Sequence, residues 1–284
     1  MPSTSGSTHS IDTAVDRNVS NVRWPTLDHL AVGVRRWEDA YPRFVGELGG
    51  RWGYGGVAGE YAPYQLVYGD GLRMEFIAPD KPGSFMDRFL EQRGPSPHHL
   101  TFKVPDLDET LADLRRRGFA TFGDSRTDPI WTEVFIHPKA SGIGTLVQVV
   151  RADDETIVAE GAFSTAPEDF PRAGTPDREM SIVGMTVSDL DRAHDLLGRA
   201  LLGDVIEAGA GWFFATWGRG RSILVREPSS TPCSAGLWEG TSAEGVAFVL
   251  FGDGDLTADD LAADPARLVR LPDHADTGVP VWLA

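Results

Sequence analysis

Leu27-Asp28-His29-Leu30-Ala31-Val32-Gly33-Val34 and His98-His99-Leu100-Thr101-Phe102-Lys103-Val104 are two copies of one motif, and their reading decides the fold. Both alternate as a strand does when one face packs on a helix. His29, Ala31 and Gly33 share one face, opposite Leu30, Val32 and Val34. In the second copy His99, Thr101 and Lys103 oppose Leu100, Phe102 and Val104, which places His98 with the packing residues. A helical stripe follows each strand. The first is Trp37, Ala40, Tyr41, Phe44, Val45 and Leu48, closed by Gly49-Gly50. The second is Leu107, Leu111 and Leu114, opened by the capping box Asp106-Leu107-Asp108-Glu109 and ended by Gly118. Two symmetry-related modules of this kind can bring two imidazoles to one metal ion, so the pattern points to a metalloenzyme.

Working outward, Tyr64–Tyr68 and Leu72–Ile77 read as a hairpin around Gly69-Asp70-Gly71, and Glu133–Ile136 with Thr145–Val150 complete the second module. Residues 153–178 carry the Pro, Asp, Glu and Thr of a linker. Ile182–Val187 with the stripe Leu190, Ala193, Leu197, Ala200 and Leu201 starts a third module, and Val246–Phe251 with Leu256–Leu268 a shorter fourth. The expected organisation is a flexible tail (1–24), a two-module domain (25–152), a linker (153–178) and a second two-module domain (179–284).

Composition narrows the function class. With 26 Lys and Arg against 42 Asp and Glu the net charge is −16, which excludes a phosphate-binding surface for nucleic acid. Cys233 is the sole cysteine, which leaves no disulfide framework within the chain and suits a reducing, cytoplasmic compartment. No run is apolar enough to span a bilayer, and no partner in a membrane is expected.

The block from about residue 25 to 152 resembles the vicinal oxygen chelate superfamily, which includes glyoxalase I, extradiol dioxygenases, bleomycin resistance proteins and methylmalonyl-CoA epimerase, and within it the epimerase-like branch. The residues that carry the likeness are Asp28-His29-Leu30-Ala31-Val32, Met74-Glu75-Phe76-Ile77-Ala78-Pro79, Phe89-Leu90-Glu91-Gln92-Arg93-Gly94, His98-His99-Leu100-Thr101-Phe102 and Phe135-Ile136-His137-Pro138-Lys139. The resemblance implies an α+β fold in which paired βαβββ modules curl into a cup-shaped mixed sheet, twice in tandem. It also implies one divalent ion (Co, Mn, Ni, Fe or Zn) held by His29, Glu75, His99 and Gln148. Aligning the second pair of modules places Ile182, Leu224, Gly245 and Trp282 at those positions, so the second domain is expected to be degenerate, without a metal site.

Epimerase relatives place Gln at the second metal position and Glu at the fourth, the reverse of Glu75 and Gln148 here, and their second base aligns with Gln65. An amide cannot take up and return a proton at neutral pH, so simple two-base racemisation is not expected. The resulting expectation is a metal-dependent isomerase, epimerase or lyase that acts on a small carbonyl or acyl-CoA-type substrate through an enolate-like intermediate. Glu75 and Gln148 are its catalytic candidates, and Gln65, Arg73, Lys103 and Tyr68 its substrate contacts. An Fe(II)-dependent dioxygenase using His29, His99 and Glu75 is the second reading, and a non-catalytic ligand-binding or resistance protein the third. Paired modules of this superfamily often assemble as dimers, so a homodimer is the expected assembly.

Overall fold

The computed structural model describes residues 24–153, 157, 165–172, 178–241 and 243–284. The expected tail, apart from Trp24, and most of the expected linker lie outside these residues. The first half forms β1 (Thr26–Gly33), β2 (Arg51–Gly55), β3 (Tyr61–Val67), β4 (Arg73–Pro79), β5 (Ser96–Lys103), β6 (Thr121–Asp128), β7 (Trp131–Ile136) and β8 (Leu146–Ala152). They build one eight-stranded mixed sheet in the order β2-β3-β4-β1-β5-β8-β7-β6. The second half forms β9 (Glu179–Thr186), β10 (Asp204–Gly209), β11 (Trp212–Thr216), β12 (Ser222–Arg226), β13 (Gly245–Gly252), β14 (Val269–Arg270) and β15 (Val281–Leu283), ordered β10-β11-β12-β9-β13-β15-β14. Each sheet is a pair of modules, and the α+β architecture is the expected one.

The symmetry of the first sheet is visible in its centre. β1 and β5 pair antiparallel, and each runs parallel to the last strand of its own module, β4 and β8 respectively. The apolar faces of both strands lie under the helices: Leu30, Val32, Leu100 and Phe102 are fully buried, together with Phe44, Leu111 and Leu114. Asp106 accepts from the Glu109 amide at 2.9 Å and so caps the helix Leu107–Arg116. The stripe 37–48 is not one regular helix. A 3-10 turn (Trp37–Ala40) leads into a wide π-type turn (Tyr41–Glu47), in which the Leu48 amide reaches back five residues to the Arg43 carbonyl at 3.0 Å. Pro42, without an N–H, removes one regular helical bond at the junction. The equivalent segment of the second half repeats the device, with Leu201 bonding to the Leu196 carbonyl at 2.9 Å.

The two halves share a core. One buried apolar cluster runs from Leu30 and Phe102 through Val183 to Phe251. Phe251 packs edge-on against Tyr68 with ring centroids 4.9 Å apart. The seam also closes polar groups: the Leu72 amide donates to the Met180 and Gly220 carbonyls, and Arg221 donates to the Leu27 carbonyl at 2.8 Å. Among the described residues no helix is long and apolar enough to cross a membrane.

Strict alternation fails at two places, and both matter. In the β1–β5 ladder Leu27 faces Phe102 and His29 faces Thr101, so Asp28 is an extra, unpaired residue of β1. Further along, Ala31 faces His99 and Val32 faces Pro97, so His98 is an extra residue of β5. A bulge turns its residue toward the same side as the next one. Each module therefore sets two polar residues in succession toward one side of the sheet, Asp28-His29 and His98-His99. The expectation that His98 packs on the helix side is corrected: it lines the cup beside His99.

Candidate functional site

The cup of the first half encloses a cavity of about 610 Å³. Glu75 and His99 line its floor and His29 lies buried against them; one ligating atom from each of the three lies within 4.8 Å of the others. Three strands supply them: β1 and β5 carry the histidines, and β4, parallel to β1, sets Glu75 beside Ala31. Glu75 Oε2 stands 3.5 Å from His29 Nε2 and 3.8 Å from His99 Nε2.

The bulge residues orient the histidines. Asp28 Oδ2 accepts from His29 Nδ1 at 2.8 Å, and Asp28 itself faces Lys103 Nζ at 3.3 Å. His98 Nδ1 and His99 Nδ1 share a hydrogen bond of 2.8 Å, while His99 Nε2 is buried without a hydrogen-bond partner. With Nδ1–H donating to His98, His99 directs a bare lone pair toward Glu75. An unpartnered imidazole nitrogen, a second imidazole and a carboxylate converging in a buried site match the donor set of a divalent transition-metal ion.

Electrostatics follow from this packing. Burial alone would raise the Asp28 carboxyl, but Lys103, Arg73 and the His29 contact hold it well below the usual carboxylate range. Burial would likewise depress His29, yet Glu75 and Asp28 lift its pKa above the ordinary histidine value. Glu75 moves the opposite way: against burial, His29, His99 and the Gln65 bond keep it ionised. Burial, with the charge of His98, holds His99 well below its ordinary value and so neutral. Burial brings His98 to about 4, with Arg93 adding to the depression against the opposing pull of Glu75.

The remaining expected residues divide sharply. Gln65 lines the cavity and donates to Glu75 Oε1 at 3.1 Å. Gln148 also lines it, but its carbonyl oxygen accepts the Thr101 hydroxyl at 2.6 Å and its amide donates to Glu133 Oε2 at 2.6 Å. Thr101 in turn is 2.8 Å from His29 Nε2. Gln148 thus ties Glu133 to the histidine cluster. Three expected substrate contacts are corrected. Tyr68 is fully buried on the helix side and donates to the Phe44 carbonyl at 2.9 Å. Lys103 is 5% exposed and faces Asp28 below the cavity floor, so it does not reach the mouth. Arg73 is not among the cavity-lining residues; it lies opposite His29 in the ladder, on the side of Asp28 and Arg221.

Glu133 went unnoticed in the sequence. It lines the cavity, and Oε2 accepts from Trp131 Nε1 at 2.9 Å as well as from Gln148. Its signal was the alternation Trp131-Thr132-Glu133 in a strand whose inward face is otherwise aromatic. Asp28 was quoted in the motif, but its role depended on the bulge.

The second cup shows what happens when these donors are replaced. Ladder register places Ile182 opposite Leu250, as His29 faces Thr101, and a bulge at Ala247 brings Phe248 to the position of His99. The expected match of Gly245 to His99 is therefore corrected to Phe248. Leu224 stands where Glu75 does, Trp282 where Gln148 does and Phe214 where Gln65 does. All belong to one buried apolar cluster, into which Leu237 and Trp238 also pack. Gly184, the counterpart of Ala31, is required there, since a Cβ would collide with the Phe248 ring. The second cup is a filled core without a cavity floor of donors.

Comparison with known proteins agrees with the architecture. Residues 28–129 match the family model of the Glyoxalase/Bleomycin resistance/Dioxygenase superfamily. No curated protein matches the chain. Among solved structures, a hypothetical protein from Staphylococcus aureus is 8% identical over 92% of this chain and 98% of its own, with a TM-score of 0.56. A mutant of 4-hydroxymandelate synthase from Streptomyces coelicolor is 17% identical over 87% of this chain and 77% of its own, with a TM-score of 0.53. Methylmalonyl-CoA epimerase from Mycobacterium tuberculosis is 25% identical over 47% of this chain and 91% of its own, with a TM-score of 0.42. The two long matches extend the tandem fold over both halves.

Proposed function

We propose, from the premise that residues 28–129 carry a Glyoxalase/Bleomycin resistance/Dioxygenase superfamily domain, that the first cup is the active site of a metal-dependent enzyme acting on a small carbonyl substrate. The observation that carries this reading is the convergence of His29 Nε2, His99 Nε2 and Glu75 Oε2 in a buried site, with His99 Nε2 left unpartnered. A divalent ion held there would supply Lewis-acid polarisation of substrate oxygens.

The chain supplies the rest. Asp28 and His98 hold the two imidazoles in orientation from behind. Gln65 restrains the second oxygen of Glu75. Gln148 cannot exchange a proton, but Glu133 can, and it projects into the cavity from the bond that Gln148 and Trp131 make to Oε2. Glu133 is assigned the role of general base that Glu75 and Gln148 were expected to fill, in a one-sided isomerisation, epimerisation or lyase step. The aromatic wall excludes water from the reacting carbons.

The test is elemental analysis of native protein, followed by anaerobic solvent deuterium exchange into a panel of carbonyl compounds. One ion per chain is expected, with exchange in the native protein and none in Glu133→Gln of equal metal content. Absence of a bound ion, or undiminished exchange in Glu133→Gln, refutes the reading. A second reading, an Fe(II) oxygenase, is favoured by one observation: Thr101 occupies the Gln148 carbonyl, which leaves two histidines and one carboxylate as the donor set. It predicts oxygen uptake that depends on ferrous iron.

A further inference from the structure

The walls of the cavity above His29, Glu75 and His99 are aromatic and acidic. Among the described residues six aromatic side chains line it: Tyr54, Tyr61, Phe85, Phe122, Trp131 and Phe135. Glu133 and Asp128 also line it, Asp128 at the exposed mouth. Among the described residues neither lysine nor arginine lines it.

The neighbouring cations are engaged elsewhere. Lys103 faces Asp28 beneath the floor, and Arg126 binds Asp124 and Asp108 on the outer surface. Arg93, whose charge reaches His98, is exposed at the end of the helix Phe85–Arg93 and lies outside the lining. Beneath the floor Asp28 and Lys103 pair with each other. Glu133 and Asp128 remain. A divalent ion held by Glu75 and two neutral imidazoles would leave one net positive charge on the floor, which these two carboxylates still outnumber. Two tyrosines feel the same negative field: burial and the charges of Glu133 and Glu75 push Tyr61 up to about 12, and burial with Glu75 and Asp128 raises Tyr54.

Aromatic faces attract cations and carboxylates attract them further, whereas an anion entering this cavity loses its hydration and meets no positive side chain. We propose that the cavity takes a substrate bearing an organic cation, an amine or quaternary ammonium group, and rejects carboxylates and coenzyme A. The cation sits among the aromatic rings between Glu133 and Asp128, and the carbonyl end reaches the histidine floor. This deepens the proposed function and rests on it only for the direction in which the substrate points. It also argues against the acyl-CoA class, whose phosphates would need lysine or arginine at the mouth.

The test is calorimetric titration of the full chain, as purified and after metal removal, with benzyltrimethylammonium, phenylacetone, phenylacetate and coenzyme A. The expected result is that the cation binds at least about tenfold more tightly than phenylacetate in both preparations. Asp128→Asn and Glu133→Gln are each expected to weaken cation binding roughly three- to tenfold while phenylacetone binding changes less than about twofold. Asp128 is exposed, so its variant keeps the test valid should Glu133→Gln fold poorly. Phenylacetate or coenzyme A binding as tightly as the cation overturns the inference, as does no measurable cation binding, or cation affinity unchanged in the folded variants. Metal content of the same samples separates the two readings: cation selectivity in a protein that binds no ion sinks the metal-dependent function alone. Anion preference in a fully loaded protein sinks this inference alone.

Discussion

Replacing Asp28 by Asn probes two linked roles at once. Its carboxylate lies 2.8 Å from His29 Nδ1 and 3.3 Å from Lys103 Nζ, and Asp28, His29 and Lys103 are each 5% exposed or less. Removing one charge of a buried pair costs about 3–5 kcal/mol, because the other charge stays desolvated. At roughly 2–4 °C per kcal/mol for a chain of this size, the melting temperature of the metal-free protein should fall by about 6–20 °C. Loss of a carboxylate behind a ligating histidine lowers metal affinity about 10- to 100-fold. The two effects separate in Asp28→Asn combined with Lys103→Met, which removes both charges and should restore most of the lost stability while metal affinity stays low. Thermal unfolding and competition for Co(II) against a chromophoric chelator read the two quantities. The reasoning is refuted if the double variant recovers metal affinity along with stability, or if Asp28→Asn leaves both at the native level.

Three further outcomes are expected. Leu224→Glu restores a carboxylate at the second-cup position of Glu75, but into a fully buried apolar cluster. It should destabilise by several kcal/mol without adding a second ion, as judged by unfolding and elemental analysis. Leu202 is 51% exposed with φ 53°, just beyond a helix end where glycine is preferred. Leu202→Gly should therefore stabilise by about 1 kcal/mol, with a melting temperature higher by roughly 2–4 °C. Burial first, with Glu207 and Asp259 adding, pushes the Cys233 thiol up to about 12. At pH 8 its thiolate fraction is then on the order of 10⁻⁴, and iodoacetamide labelling followed by mass spectrometry should be far slower in the native than in the unfolded chain. The unfolded thiol ionises near pH 9 and the folded one does not, so this group makes the fold less stable as pH rises from about 9 to 12.

The fold was legible because its signals are local. Alternation in 27–34 and 98–104, helical stripes behind both strands and the recurrence at 182–187 all follow from which face of an element meets the core. The loss of donors in the second half was legible for the same reason, since Ile182, Leu224 and Trp282 cannot ligate whatever their surroundings. Phe248 stands three residues beyond Gly245, and no polar residue within Val246–Phe251 marks the position that pairing with β9 fixes.

By itself, then, the sequence determined the strands, the duplication and the identity of three converging side chains, His29, Glu75 and His99. Only the tertiary structure decided what surrounds them. The bulges at Asp28 and His98 arise from pairing between β1 and β5, and they set both residues beside their histidines, Asp28 beneath the floor and His98 in the cup lining. Pairing also hides Lys103, which strand alternation alone had placed in reach of substrate, and Tyr68 is buried against the Phe44 carbonyl. Glu133 acquires its meaning from Gln148 and Trp131, brought to it across one strand boundary and within its own strand. Alternation along one strand specifies a face. Register, bulges and curvature specify what that face meets, and they are properties of strands in pairs.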